Sequence, residues 1–236
     1  MSAIWGSAFI AIKISLNSFN PVSLASLRLI IASLFLLSFF FFKKYNFNLS
    51  KENIFYLFLI GIIGNFLPFF LISWAEQFIQ SSTAGILMAV GPIMTLVLSH
   101  FLTRDDRFTY LKLVSVLIGL IGVLFIFDFN FFSEYEYGSR LEIISKLLVV
   151  FAAFGYMISN ILAYNKLEKI DSFIITTFAT CFGAIFSLPF FIYSELINTS
   201  SLNLTSTISI IYLGLFPTAI AFQFRYYITK KSGPIF

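Results

Sequence analysis

Eight stretches of this chain are each apolar enough to be read as crossing a lipid bilayer, and that leaves few folds open. A spanning helix needs about 20 mostly apolar residues, because the hydrocarbon core is about 30 Å thick and each residue rises about 1.5 Å. The spans read at about 1–16, 22–42, 54–74, 83–102, 109–128, 146–165, 173–194 and 207–229. The first is short. It lacks the basic flank and small-residue cleavage site of a signal peptide, so it is expected to be a first span short of residues at its start. Gly233-Pro234-Ile235-Phe236 reads as the first turn of a ninth. The runs are continuous rather than alternating, which points to helices and not to a barrel. Charged residues make up 11% of the chain, where a soluble domain carries roughly 25%. Lipid is therefore the expected solvent, and the function must be a membrane function.

The placement of charge predicts a topology. The loops after spans 2, 4, 6 and 8 hold Lys43, Lys44, Lys51, Arg104, Arg107, Lys112, Lys166, Lys169, Lys230 and Lys231. The loops after spans 1, 3, 5 and 7 hold Lys13, Arg140 and Lys146. Basic residues concentrate in cytoplasmic loops, so the even loops and the N-terminus are expected to face the cytoplasm. The opposite side is acidic, with Asp128, Glu134, Glu136 and Glu142 around the longest loop, about 129–145. The basic residues thus follow the membrane, and no nucleic-acid partner is expected from the pI of about 9.1.

The chain also repeats itself after roughly 150 residues. Trp5-Gly6 has a counterpart in Phe154-Gly155, and Leu59-Ile60-Gly61 in Tyr212-Leu213-Gly214. Pro68 recurs as Pro217, and the aromatic end at Trp74 as Tyr226-Tyr227. The connector after span 3 is acidic at Glu76, whereas the one after span 8 is basic at Lys230 and Lys231, so the two copies lie in opposite orientation. Inverted repeats of this kind are a hallmark of secondary transporters, whose halves rock about a site near the midplane. Five helices per copy are expected, at 1–128 and 146–236, joined by the loop at 129–145. Ten helices would complete the pair, and residues 1–236 supply eight and the start of a ninth.

Several segments resemble the EamA-type domains of the drug/metabolite transporter superfamily. They are Trp5-Gly6-Ser7, Pro21 with Leu24-Ala25-Ser26-Leu27-Arg28, Ser82-Thr83-Ala84-Gly85 through Gly91-Pro92, and Asp105-Asp106-Arg107 with Leu113, Gly119 and Gly122-Val123. The second copy adds Leu213-Gly214, Pro217-Thr218-Ala219 and Ser232-Gly233-Pro234. The resemblance covers essentially the whole chain. It implies an all-α membrane protein of two inverted five-helix repeats that moves small metabolites such as amino acids, often by export. It also implies a bacterial inner-membrane location, and a homodimer is a further expectation. Two departures stand out. Asp106 occupies a position where the family usually has Glu, and the second copy's acidic-Arg segment lies outside residues 1–236.

Candidate pathway residues are Trp5, Arg28, Asn65, Ser73, Trp74, Glu76, Thr83, Gln223 and Tyr226. Arg28 lies about six residues, roughly 9 Å, inside the outer end of span 2. A cation there costs a few kcal/mol unless it snorkels or faces a cavity. It either lines the outer pathway, pairs with Glu76, or reaches the headgroups. Arg225, nearer its helix end, is expected to snorkel. Asn65 and Gln223 are expected to face a cavity, since an amide in lipid is costly. Trp74 and Tyr227 lie near helix ends and fit an interfacial aromatic belt as well as a substrate site. Pro92 in span 4 bends the helix and is a candidate hinge. His100 reads as structural. With one His and one Cys there is no usual metal cluster, and no cofactor is expected. No Walker loop and no catalytic Ser-His or paired-carboxylate pattern within the spans is present, which argues against an ATPase or an intramembrane enzyme. An enzyme acting on lipid or peptide, or a passive channel, remains the alternative class. Every acidic residue falls in a loop or at a helix end, Glu76 being the one able to tilt inward.

The topology has a direct test. With Cys181 replaced by Ser, a cysteine introduced at Ser50 should resist an impermeant thiol reagent in intact cells, and one at Ser200 should react. The reverse labelling would overturn the orientation.

Overall fold

The structure is a computed structural model, and it describes residues 1–42, 45, 48–102, 109–126, 140–197 and 203–233. Among these, eight helices follow the apolar runs. They are α1 (Ser2–Ser15), α2 (Pro21–Phe42), α3 (Lys51–Ala75), α4 (Ser81–Leu102), α5 (Tyr110–Ile126), α6 (Arg140–Lys166), α7 (Ser172–Ile197) and α8 (Leu204–Ser232). Six of them are long and apolar enough to cross a membrane, and α1 and α5 are shorter apolar helices. Lipid offers no hydrogen bonds to the backbone, so continuous apolar segments close their own backbone bonds as helices. Polar side chains set the starts. Asn20, Ser50, Asp171 and Asn203 each accept a hydrogen bond from a backbone N–H two or three residues on, at 2.8–3.1 Å. Such a cap contributes about 1 kcal/mol.

Three helices depart from regularity, each beside a proline. α3 widens to a π-helical turn at Ile62–Phe66, just before Pro68. α8 does the same at Gly214–Ile220, around Pro217. Proline lacks an N–H and its ring crowds the preceding turn, and a wider turn relieves that crowding. The wide turns close with the N–H of Leu67 on the Ile62 carbonyl and that of Ala221 on the Phe216 carbonyl. α4 breaks at Ala89–Val90 and restarts at Gly91, with Pro92 in its new first turn.

Two boundaries differ from the apolar runs. α6 begins at Arg140, six residues ahead of the expected start near 146, and Lys146 pairs with Glu142 one turn earlier at 2.6 Å. α8 continues to Ser232, which places Arg225 seven residues from its end rather than about four. The Asp105-Asp106-Arg107 segment, Asp128, Glu134, Glu136 and Pro234–Phe236 lie outside the described residues.

The connections sort onto two ends of the bundle. At one end Lys13 donates to the carbonyls of Glu76 and Ile79, Asn203 N–H donates to Ser18, and Ser23 donates to Glu195. This joins the loops after α1, α3 and α7. At the other end Lys230 donates to the Ile170 carbonyl, Tyr45 stacks on Phe173, and Asn165 donates to the Leu102 carbonyl. This joins the loops after α2, α4 and α6 to the end of α8. Among the described residues the connections thus gather at two ends, and the loop after α5 lies outside them.

The central contact is α2 against α7. α3 crosses onto α6 and α7, while α8 crosses onto α1 and α2. Small residues permit these crossings. A Cβ on Gly61 would lie 2.5 Å from the Ala179 carbonyl oxygen and 2.8 Å from the Gly183 nitrogen. One on Gly155 would lie 2.6 Å from the Ile63 carbonyl oxygen, and one on Gly214 would meet Ile31 at 2.6 Å. Backbone therefore faces backbone where the helices cross. Outward, Leu34, Phe42, Phe101, Leu147 and Leu196 are among many large apolar side chains left bare by the fold. That is the surface a lipid-facing protein presents.

The crossing contacts make a prediction. Gly61→Ala and Gly155→Ala should each destabilise the detergent-solubilised protein by about 1–3 kcal/mol, since rigid backbone must shift to admit the methyl. Gly6→Ala, where nothing lies within 4 Å, should be neutral or slightly stabilising. Thermal midpoints read by size-exclusion chromatography would separate these outcomes.

Candidate functional site

α1, α2, α3, α4, α6 and α8 line a partly open cavity of about 410 Å³. Its walls are mainly apolar and aromatic, with Trp5, Phe69, Tyr156, Met157 and Phe222 prominent. The break in α4 faces it through Ala89, Gly91 and Pro92. Two arginines reach it, Arg28 from α2 and Arg225 from α8.

The wide turn of α8 positions Arg28. A π turn leaves carbonyls poorly matched, and Thr218 Oγ1 recovers one by donating to the Leu213 carbonyl at 2.7 Å. The same oxygen accepts from Arg28 Nε at 3.1 Å. Trp5 Nε1 donates to the Pro217 carbonyl at 3.3 Å, which ties α1 to the same turn. The Arg28 guanidinium lies over the Phe69 ring, 3.6 Å from its centroid. That placement adds a cation–π attraction that is stronger away from water. Arg28 is 4% exposed. It does not reach the surface, and among the described residues it forms no ion pair with Glu76 or any other carboxylate. Of its three expected placements, neither the headgroups nor an ion pair with Glu76 is seen, and Arg28 lines the cavity.

Arg225 corrects the expectation of snorkelling. It is 6% exposed and points inward. Its Nε donates to Asn160 Oδ1, and Nη2 donates to the Tyr156 carbonyl and Ser159 Oγ, all at 2.7 Å. The rings of Tyr156, Phe222 and Tyr226 surround it at 5.0–5.2 Å. The physical reason is local. α8 runs on well past Arg225, so headgroups are distant, and α6 offers three acceptors at close range.

Of the other expected pathway residues Trp5 lines the cavity, while Asn65, Ser73, Trp74, Glu76, Thr83, Gln223 and Tyr226 do not. Tyr226 is fully buried beneath Arg225. Ser73 is buried and donates to the Phe69 carbonyl of its own helix at 2.7 Å. Gln223 faces α7, accepting from Thr176 Oγ1 at 2.9 Å and donating to Ser172 Oγ at 3.3 Å. Asn65 is buried in the wide turn of α3 with no protein partner for its amide among the described residues. Neither amide lines the cavity. Trp74 packs on Phe78 at 4.9 Å near the end of α3, and Thr83 is half-buried in the first turn of α4. Phe69, Tyr156, Asn160 and Phe222 line the site without having been singled out from the sequence. Asn160, an amide inside a span, was the available signal for α6.

Glu76 lies one residue beyond the end of α3 and is fully buried. Its Oε2 accepts from Ser81 Oγ at 2.9 Å. Lys13 Nζ meets its backbone carbonyl at 2.5 Å rather than its carboxylate. Burial pushes its pKa up to about 8, with Ser81, Lys13 and Arg28 pulling the other way. The sign follows from linkage. The folded chain holds the proton more tightly than the unfolded one, so stability is full below about pH 4.5 and falls as pH rises to about 8. Glu76→Gln should flatten that slope in thermal midpoints taken from pH 5 to pH 8.5. An equal slope in both proteins would show that Glu76 is not its source.

Comparison with known proteins adds an independent line. Residues 1–128 and 143–235 match the EamA-like transporter family. An uncharacterized transporter of Archaeoglobus fulgidus is 30% identical over 230 residues, covering 97% of this chain and 77% of that protein. The uncharacterized transporter YdfC of Bacillus subtilis is 30% identical over 236 residues, covering 99% of this chain and 73% of its own length. A protein of known crystal structure, 17% identical, shares the fold with a TM-score of 0.69 over 97% of this chain and 76% of the other.

Proposed function

The chain belongs to the EamA-like transporter family, and from that premise we propose that it is a secondary carrier that exports small metabolites such as amino acids by alternating access. The carrying observation is the cavity itself. Both matched segments contribute walls to it, Trp5, Arg28 and Phe69 from the first and Tyr156, Phe222 and Arg225 from the second. A site shared between two halves is where rocking of one half against the other exposes it to alternate sides.

The packing supports two inverted copies. α3 crosses onto α6 and α7 as α8 crosses onto α1 and α2, and α2 meets its counterpart α7 at the centre. Such reciprocity is what a two-fold relation between halves produces. The counterpart helices α3 and α8 both carry a wide turn beside a proline. Together with the break in α4 at Pro92, these turns supply places to bend without breaking packed faces. A multi-pass protein of this kind, with its N-terminus in the cytoplasm, fits a bacterial inner membrane.

The expected coupling is exchange or facilitated diffusion. Among the described residues no carboxylate lines the cavity, and Glu76 stands apart from it. Reconstituted in liposomes, the full-length form should give saturable counterflow of a metabolite without a pH gradient. Unsaturable flux would indicate a channel. Flux that needs a gradient and vanishes in Glu76→Gln would make Glu76 the proton carrier and overturn the exchange mechanism.

A further inference from the structure

We propose that the cavity selects a small carboxylate with an apolar body, held between Arg28 and Arg225, over its neutral and cationic analogues. This rests on the carrier reading and narrows its substrate class.

The argument starts from charge balance. A cation inside a membrane span is costly unless something answers it. Here two guanidinium groups reach one cavity, and among the described residues neither has a carboxylate partner. Arg225 is held by three protein acceptors that occupy Nε and Nη2, which leaves Nη1 with none. Arg28 is held only through Nε by Thr218, and both of its terminal nitrogens meet no protein acceptor. A guanidinium edge with two parallel N–H groups matches a carboxylate in plane and spacing, and a bidentate pair of this kind is among the stronger hydrogen-bonded contacts.

The two arginines belong to one assembly. Arg28 rests on Phe69 at 3.6 Å, Phe69 meets Phe222 at 5.5 Å between ring centroids, and Arg225 lies 5.0 Å from Phe222. Tyr156 lies within electrostatic reach of both. Their positions are set by other protein groups, by the wide turn of α8 for Arg28 and by Asn160 and Ser159 for Arg225. The donors are therefore oriented before any ligand arrives, which lowers the ordering cost of binding. The walls complete the specificity. Trp5, Phe69, Met157 and Phe222 offer apolar surface, and no described lining residue is acidic, so an ammonium group finds no ion-pair partner. A volume of about 410 Å³ falls in the range of small-molecule sites.

The test uses the full chain in lipid nanodiscs. Binding of phenylacetate and hexanoate is compared with that of their neutral amides and of phenethylamine and hexylamine by isothermal titration. Each carboxylate should bind at least tenfold more tightly than its amide, and the amines should not compete. Arg28→Gln should lower carboxylate affinity at least tenfold and shrink the preference for the carboxylate over its amide. Arg28→Lys keeps the charge and loses the fork, and it should fall between the two. It also serves if the Gln variant does not elute as a single species. Amides or amines that bind as well as carboxylates would overturn the proposal. So would carboxylate binding that is unchanged in both variants, or absent up to millimolar concentration. Counterflow in liposomes separates the two readings. Carboxylate binding without any counterflow would sink the carrier and keep the site. Counterflow of neutral or cationic solutes that is indifferent to Arg28 would sink the site and keep the carrier.

Discussion

Inside a bilayer no water answers a polar group, so each N–H, carbonyl and side-chain charge must find its partner within the protein or face a cavity. Most of what is distinctive here follows from that requirement. The spans are helices because helices satisfy their own backbone. The prolines of α3 and α8 disturb that satisfaction, and the chain responds with wide turns closed by longer-range backbone bonds. Thr218 and Trp5 then take up carbonyls of the α8 turn. Through Thr218 the same repair reaches Arg28. A local defect in one helix thereby becomes the device that aims a cation from another.

Close approach of backbones is the second theme. Helices in lipid gain no hydrophobic drive toward one another, so association rests on packing. Gly61 against Gly183, Gly155 against Ile63 and Gly214 against Ile31 let the two wide-turn helices cross over to the other half. The cavity is a consequence of these crossings. Phe69 and Phe222, one from each wide-turn helix, meet at its floor, and the arginines flank them. The hinge-like features and the polar groups of the site therefore share the same stretches of chain.

Much of the fold was legible in the sequence, and the reason is that hydropathy reads backbone environment directly. The eight apolar runs became eight helices among the described residues, and the described connections gather at two ends. Pro68 and Pro217 were visible as counterparts before their wide turns were. Side-chain direction was less legible. Arg225 read as a snorkelling residue because only its distance from a helix end was available, yet α6 holds it inward through Asn160, Ser159 and the Tyr156 carbonyl. Gln223 read as a cavity amide and is instead spent on Thr176 and Ser172 of α7. Arg28 and Glu76 were plausible partners by position, but Lys13 and Ser81 hold Glu76 elsewhere.

The sequence by itself determined that this chain lives in lipid as a bundle of spanning helices, because length and apolarity of a segment decide whether it can leave water. It also determined the family, since the repeated small residues and prolines carry that pattern in order. Only the tertiary structure decided which polar side chains meet. A buried cation has several energetically adequate partners within reach of its helix, and the choice among them depends on how neighbouring helices cross. Those crossings are set by contacts between residues more than a hundred positions apart, such as Gly61 with Gly183 and Arg28 with Thr218. No local pattern encodes such pairs, and it is these pairs that bring two scattered arginines to one cavity.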